Sequence, residues 1–294
     1  MVITKLIGGL GNQMFQYAAG VSLARNIGVD LRIDKNALRT YNLHQGYQLD
    51  EIFQGDFIQA TEWEMFKLMG LRKFKIVKRG AEVNPKHKFK AGYPFIRQPT
   101  HNYWADFDKI TTSGYLAGYW QSSKYFANSE AEVRQAFSFK DNLTGRNLEI
   151  VNKVRSENSV AIHIRRGDYI SDPGSLKFHG FCDWNYYDKA VSIIIEKTGA
   201  SKFYIFSDEP EVARLHFQDT RSFEIVDWNT GRSSYRDMQI MSHCRHHIIA
   251  NSTFSWWGAW LADSPEQVVV APSSWFQGSD EQIVDIYEPD WIII

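Results

Sequence analysis

The segment Ala161 to Ile170, AIHIRRGDYI, sets two guanidinium groups, a glycine and a carboxylate directly behind an apolar run. Val160, Ile162 and Ile164 alternate onto one face of a predicted strand, with His163 and Arg165 on the other. Open α/β sheets bind ligands at the C-terminal ends of their strands, and an arginine fork matches phosphate oxygens two at a time. His163, Arg165, Arg166, Gly167 and Asp168 therefore read as an anion site at a strand end. The plainer alternative is a solvated charge cluster.

Other residues could share that chemistry. Asn251-Ser252-Thr253-Phe254-Ser255 opens a helix and offers hydroxyls and backbone N–H donors, a cradle for a pyrophosphate. Asp237, beside Arg236 at the start of a helix, either accepts from the N–H donors of a guanine edge or steadies the helix dipole. Near the N-terminus, Gly8-Gly9-Leu10-Gly11-Asn12-Gln13 lies between a strand and a helix. Gly9 and Gly11 either let backbone approach a phosphate or serve close packing; the third glycine of a dinucleotide fingerprint is missing, Met14 standing there. The amides of Asn12 and Gln13 can contact a ligand oxygen without adding charge. His243, His246 and His247 straddle a helix end and a strand start, so their rings should diverge rather than share a metal. Trp256, Trp257 and Trp260 are expected to pack their helix onto the sheet.

These residues need a scaffold, and the second half of the chain supplies one. Its patterns predict strands ending at Asp168 and over 202–206, 223–226, 247–250 and 268–271, the last expected to close the sheet. Helices are predicted over 184–198, 211–217, 235–244, capped by Ser233 or Ser234, and 256–262. Such alternation argues for a doubly wound parallel sheet, which places Arg165 to Asp168, Ser207 to Glu209 and Asn251 to Ser255 on one edge. In the first half, strands are predicted at 2–7, 30–34 and 114–121, with helices up to Gly28 and over 61–71, while Ser122 to Phe126 leads into a helix through Arg134. Thr61 and Glu64 have the spacing of a capping box. Asn142 to Asn158 reads as a polar helix between domains.

The 294 residues suit two domains of roughly 150 residues or one large α/β domain. A net charge of −1 gives no general attraction for nucleic acid or an anionic membrane, so any phosphate site must be local. The basic stretch Lys73 to Lys90 reads as solvated surface or loop, with a membrane or nucleic-acid site as its alternative. Cys182 and Cys244 have neither metal-ligand spacing nor a disulfide framework. No run approaches the ~18 apolar residues of a membrane span, and the opening MVITKLIGGLGNQ has no basic leader. The expected location is the cytoplasm, with contact at the inner membrane face left open.

AIHIRRGDYI, NSTFSWWGAWLA and GGLGNQMFQYAAG are collinear, span nearly the whole chain, and together resemble the α-1,2-fucosyltransferase family, glycosyltransferase family 11. The resemblance implies an α/β, GT-B-type fold: two Rossmann-like domains with parallel sheets facing across a cleft. It assigns 1–150 to the acceptor side and 151–294 to donor binding. It further implies GDP-β-L-fucose as donor, a galactose-containing glycan as acceptor, inversion at the anomeric carbon, and neither metal nor cofactor. Carried onto this sequence, Arg165 would hold the β-phosphate, His163 would sit beside the nucleotide, and Asp237 would read the guanine. Ser252, Thr253, Phe254 and Ser255 would line the phosphates. Asn12 would approach the pyrophosphate and glycosidic oxygen, with Gly9 and Gly11 in its loop. Asp168 and Asp172 are the candidates for a base, Asp168 having a structural pair with Arg165 or Arg166 as its alternative. Competing readings are a nucleotide- or NAD-dependent enzyme of another class, suggested by the glycine turn, and a non-catalytic glycan-binding protein, suggested by the aromatic content.

Overall fold

The computed structural model describes residues 1–40, 45–70, 94–166, 180–276 and 281–294. They form two compact units, one of Met1–Lys140 with Val284–Ile286, the other of Asp141–Ile283 with Tyr287–Ile294. Lys73 to Lys90, Asp168 and Asp172 lie outside the described residues.

In the first unit β1 (Val2–Lys5) leads through the glycine turn into α1 (Leu10–Asn26), followed by β2 (Leu31–Asp34), α2 (Leu49–Ile52) and α3 (Glu62–Met69). Then come β3 (Phe95–Arg97), β4 (Gly114–Ala117) and α4 (Glu130–Ala136). The strands pair in the order β2-β1-β4-β3, every pair parallel. α1 lies close on this sheet: a Cβ on its Gly20 would stand 2.8 Å from Leu31 and 3.2 Å from Thr4. The capping box at α3 forms as expected, Glu64 N–H donating to Thr61 Oγ1 at 3.1 Å and Thr61 N–H to Glu64 Oε2 at 2.7 Å. The expected lead-in from Ser122 takes the form of two short 3-10 turns, after which α4 begins. Ser122 caps the first of them through Lys124 N–H, which sets a turn rather than a longer helix.

The second unit runs α5 (Gly145–Ser156), β5 (Ser159–Ile164), α6 (Trp184–Thr198), β6 (Lys202–Ser207), α7 (Pro210–His216) and β7 (Phe223–Val226). α8 (Tyr235–Met241), β8 (His246–Ile248), α9 (Thr253–Trp260), β9 (Val269–Ala271) and β10 (Ile292–Ile293) complete it. Its sheet has the order β10-β9-β8-β5-β6-β7, all parallel. The expected α/β class with two parallel sheets is therefore what the chain adopts. β9 does not close the sheet, however. The apolar C-terminal residues add β10 beyond it, with Ile292 and Ile294 packed on the core.

β5 is buried at all six positions, not on one face alone. Val160, Ile162 and Ile164 enter one cluster with Tyr187, Ile194 and Phe203, while Ala161 enters another with Val154, Tyr204 and Ile240. Helices thus cover both faces, the usual condition of a parallel sheet. α6 is fixed at both ends, by Asp183, which accepts from Tyr186 N–H at 2.9 Å, and by Gly199 in the left-handed region. α9 starts at Thr253, earlier than its apolar pattern indicates, because Ser252 caps it. Trp256 and Trp257 are fully buried, and Trp257 meets Trp256 and Trp260 edge to face. Trp257→Ala should lower unfolding free energy by about 3–5 kcal/mol in urea titration; a loss below ~1 kcal/mol would show that this ring does not seat α9.

Candidate functional site

The register of the second sheet decides which residues share an edge. Ile164 stands opposite Ser207, Ile162 opposite Ile248, and Phe206 opposite Val226. Arg165 and Arg166, Ser207 to Glu209, Asp227 to Asn229, and Ile249 to Ser252 therefore leave the sheet at the same C-terminal edge.

The two arginines differ. Arg166 N–H donates to Asp208 Oδ1 at 3.0 Å, and its Nε lies 3.5 Å from Glu209 Oε2. Its guanidinium also stacks over Phe181 and Trp184 at 4.9 and 5.0 Å. Arg166 thus binds the β6 loop and the start of α6 to the end of β5. Arg165 follows the strand directly and is half-buried.

His163 and the α9 motif meet. The His163 ring packs on Phe254 with centroids 5.5 Å apart, and the Tyr187 hydroxyl donates to His163 O at 3.2 Å. The serines of the motif shape its turn: Ser252 Oγ accepts from Phe254 N–H at 3.3 Å, and the buried Ser255 hydroxyl donates to Ser252 O at 3.2 Å. Asn251 is buried, its Nδ2 3.4 Å from both Gly180 O and Trp275 O. Thr253 and Phe254 keep part of their surface in solvent.

Asp237 belongs to a polar network that the sequence reading passed over. Asn229 Nδ2 donates to Asp237 Oδ1 at 2.8 Å and to Asn147 Oδ1 at 3.0 Å. Asn147 Nδ2 donates back to Asn229 Oδ1 at 2.9 Å, and Trp228 Nε1 donates to Asn147 Oδ1 at 2.6 Å. Trp228 and Asn229 lie two and three residues past the end of β7, so extending the strand-end rule to that strand would have found them. Burial pushes the Asp237 carboxyl up to about 7; the Asn229 hydrogen bond opposes that rise and the Asp227 charge adds to it.

The three histidines serve separate partners. Arg155 donates to His243 at 3.2 Å, and burial with that cation lowers His243 to about 4. His246 Nε2 lies 2.9 Å from Asn158 Oδ1, while His247 lies 2.8 Å from Met241 O and 2.9 Å from Gln267 Nε2.

In the first unit, Gly8 is the glycine its turn requires, with φ +76° and a Cβ position 2.6 Å from Asn12 Nδ2. Gly9 is the extended N-cap of α1. Asn12 is half-buried and accepts from Gln121 Nε2 at 2.7 Å. Gln13 is buried, donating to Gly8 O at 3.0 Å and Gly46 O at 2.8 Å, so its amide holds the loop. An Asp-x-Asp spacing is present at Asp106 and Asp108, contrary to the expectation that the chain has none. Asp106 pairs with Lys109 at 2.7 Å, and Asp108 accepts from the Tyr103 hydroxyl.

The family model for Glycosyl transferase family 11 matches residues 61–294. An alpha-1,2-colitosyltransferase of Escherichia coli is 32% identical over 302 residues, covering 100% of this chain and 99% of that protein. The chain belongs to glycosyl transferase family 11. The O-antigen biosynthesis glycosyltransferase WbnK of Escherichia coli is 31% identical to this family 11 enzyme, covering 94% of this chain and 95% of its own. A galactoside 2-alpha-L-fucosyltransferase, SEC1 of Bos taurus, is 27% identical over 50% of this chain and 42% of that one. Among the described residues of the family 11 enzyme, no helix is long and apolar enough to cross a membrane.

The elevated Asp237 carboxyl has a consequence for stability. An unfolded aspartate titrates near ~3.9, and the folded one near about 7. Between these values the folded protein holds the extra proton, so the stabilisation is full below ~pH 4 and is lost as pH rises through 7. Asp237→Asn should remove that slope and raise stability at pH 8 by about 1–2 kcal/mol, since partial exposure screens the charge. Urea unfolding at several pH values checks this; a wild-type-minus-variant difference that stays flat with pH would contradict it.

Proposed function

We propose that this family 11 glycosyltransferase moves fucose from GDP-β-L-fucose to the 2-hydroxyl of a terminal galactose, with inversion at the anomeric carbon and no required metal. The observation that carries the reading is one sheet edge holding an arginine-bearing strand end, a capped helix start and a carboxyl in reach of amide donors. Guanine presents two adjacent N–H donors on its pairing edge, which a carboxylate can accept together; adenine does not. Asp237 is the carboxylate for that role.

Departure of GDP develops charge on a β-phosphate oxygen. A preorganised guanidinium and the N–H groups of a helix start stabilise such charge, and we assign these to Arg165 and to Thr253–Ser255, with His163 beside the nucleotide. Arg166, held by Glu209 and two rings, keeps the strand end in shape. The reading includes Asn12, with Gly9 and Gly11 in its loop, as a participant in transfer, and Asp168 or Asp172 as the group that takes the acceptor hydroxyl's proton. Names of relatives support the linkage and acceptor: one is an alpha-1,2-transferase and another acts on a galactoside.

The full-length likeness to a colitosyltransferase favours a second reading of the sugar alone. Colitose is fucose without the 3-hydroxyl. A site that hydrogen-bonds this hydroxyl rejects the deoxy sugar strongly, whereas a site without such a contact does not. GDP-fucose and GDP-colitose, each offered with a β-galactoside in chelator, separate the two by GDP release and product linkage. Faster turnover of GDP-fucose, and a fall of about 10²-fold or more in kcat for Arg165→Ala, are expected. Preference for GDP-colitose would move the assignment to that sugar; undiminished turnover in Arg165→Ala would remove that residue from the reaction.

A further inference from the structure

We propose that Trp228, Asn147 and Asn229 form a directional hydrogen-bond relay that holds Asp237 as an oriented acceptor, and so act as positioning residues for a purine edge bearing N–H donors. The inference rests on the reading of this edge as a guanosine diphosphate site.

The direction follows from chemistry at one end of the chain. An indole N–H can only donate, so the Asn147 atom 2.6 Å from Trp228 Nε1 must be its oxygen. Asn147 and Asn229 then face each other as a reciprocal amide pair, with bonds of 2.9 and 3.0 Å. With the oxygen of Asn147 committed, Asn229 must turn its own nitrogen inward, and the second hydrogen of that nitrogen reaches Asp237 Oδ1 at 2.8 Å. Turning both amides over would preserve their mutual pair. It would also set a nitrogen against the indole N–H and a carbonyl against Asp237, an arrangement that only a protonated carboxyl tolerates. The pair therefore has two states, and Trp228 selects the one that favours the carboxylate.

Other groups around Asp237 do not replace this donor. Arg236, its neighbour on α8, is turned to Asp141 and Gln239. Asp227, at the end of β7, repels the carboxylate and is itself paired with Arg214. Arg146 of α5 lies over the Trp228 ring at 3.7 Å, which holds the indole in place from its face. Asn229 is buried, so its amide cannot simply exchange partners with water.

The test uses the whole protein carrying ¹³C-labelled aspartate, with Asp237→Asn identifying the Asp237 signal, and GDP and ADP as titrants. Trp228→Phe leaves an aromatic ring for Arg146 to lie over but removes the N–H. The Asp237 titration midpoint should rise by about one pH unit, and GDP affinity at pH 7 should fall about 3–10-fold and recover at higher pH. Asn147→Ala should move the midpoint the same way, and the double variant no further than Asn147→Ala alone, as expected for residues acting through one chain. A midpoint unchanged in folded Trp228→Phe would overturn the relay. Wild-type protein that binds GDP no better than ADP would instead overturn the proposed function, while the titration still decides the relay.

Discussion

β5 has no solvent-exposed face, since each of its six residues is buried. Such a strand is stable only at the centre of a parallel sheet, and here it is paired with β6 and β8 in a register that leaves no room to slip. The charged groups come directly after that strand, as Arg165 and Arg166, next to the buried His163 near its end, and the same register delivers the ends of β6, β7 and β8 beside them. Burial of one hydrophobic strand thus fixes where the chemistry can occur.

Around that edge the charged and neutral groups divide the work. Arg166 is tied to Glu209 and to aromatic rings, which stiffens the turn that follows Arg165. Ser252 and Ser255 spend their hydroxyls on the start of α9 and define the backbone there. Asp237 is opposite in character: desolvation works against its charge, and a neutral amide rather than a cation supports it. A carboxyl balanced in this way responds to any ligand that brings donors to it.

Much of this was legible in the sequence, and the exceptions have physical causes. β7 and α6 have the bounds read from pattern, because alternation and a long apolar repeat with an Asp cap leave little freedom. β3 and β10 span three and two residues, too few for any period to show. The start of α9 was read too late, since Ser252 and Thr253 carry a capping signal rather than an apolar one. At the site, His163, Arg165, Asp237 and the α9 motif stood out by residue type. Asn147 and Asn229 did not, because neutral amides 82 positions apart leave no local pattern. The different duties of Arg165 and Arg166 also depend on Glu209 and Trp184, which only the fold brings near.

A guanosine diphosphate at the C-terminal edge of the second sheet, as proposed, is tested most directly by a crystal structure of the protein grown with GDP. The guanine edge is expected on Asp237 and the β-phosphate between Arg165 and the N–H groups at the start of α9. GDP bound with its guanine away from Asp237, or its phosphates away from Arg165 and α9, would contradict it.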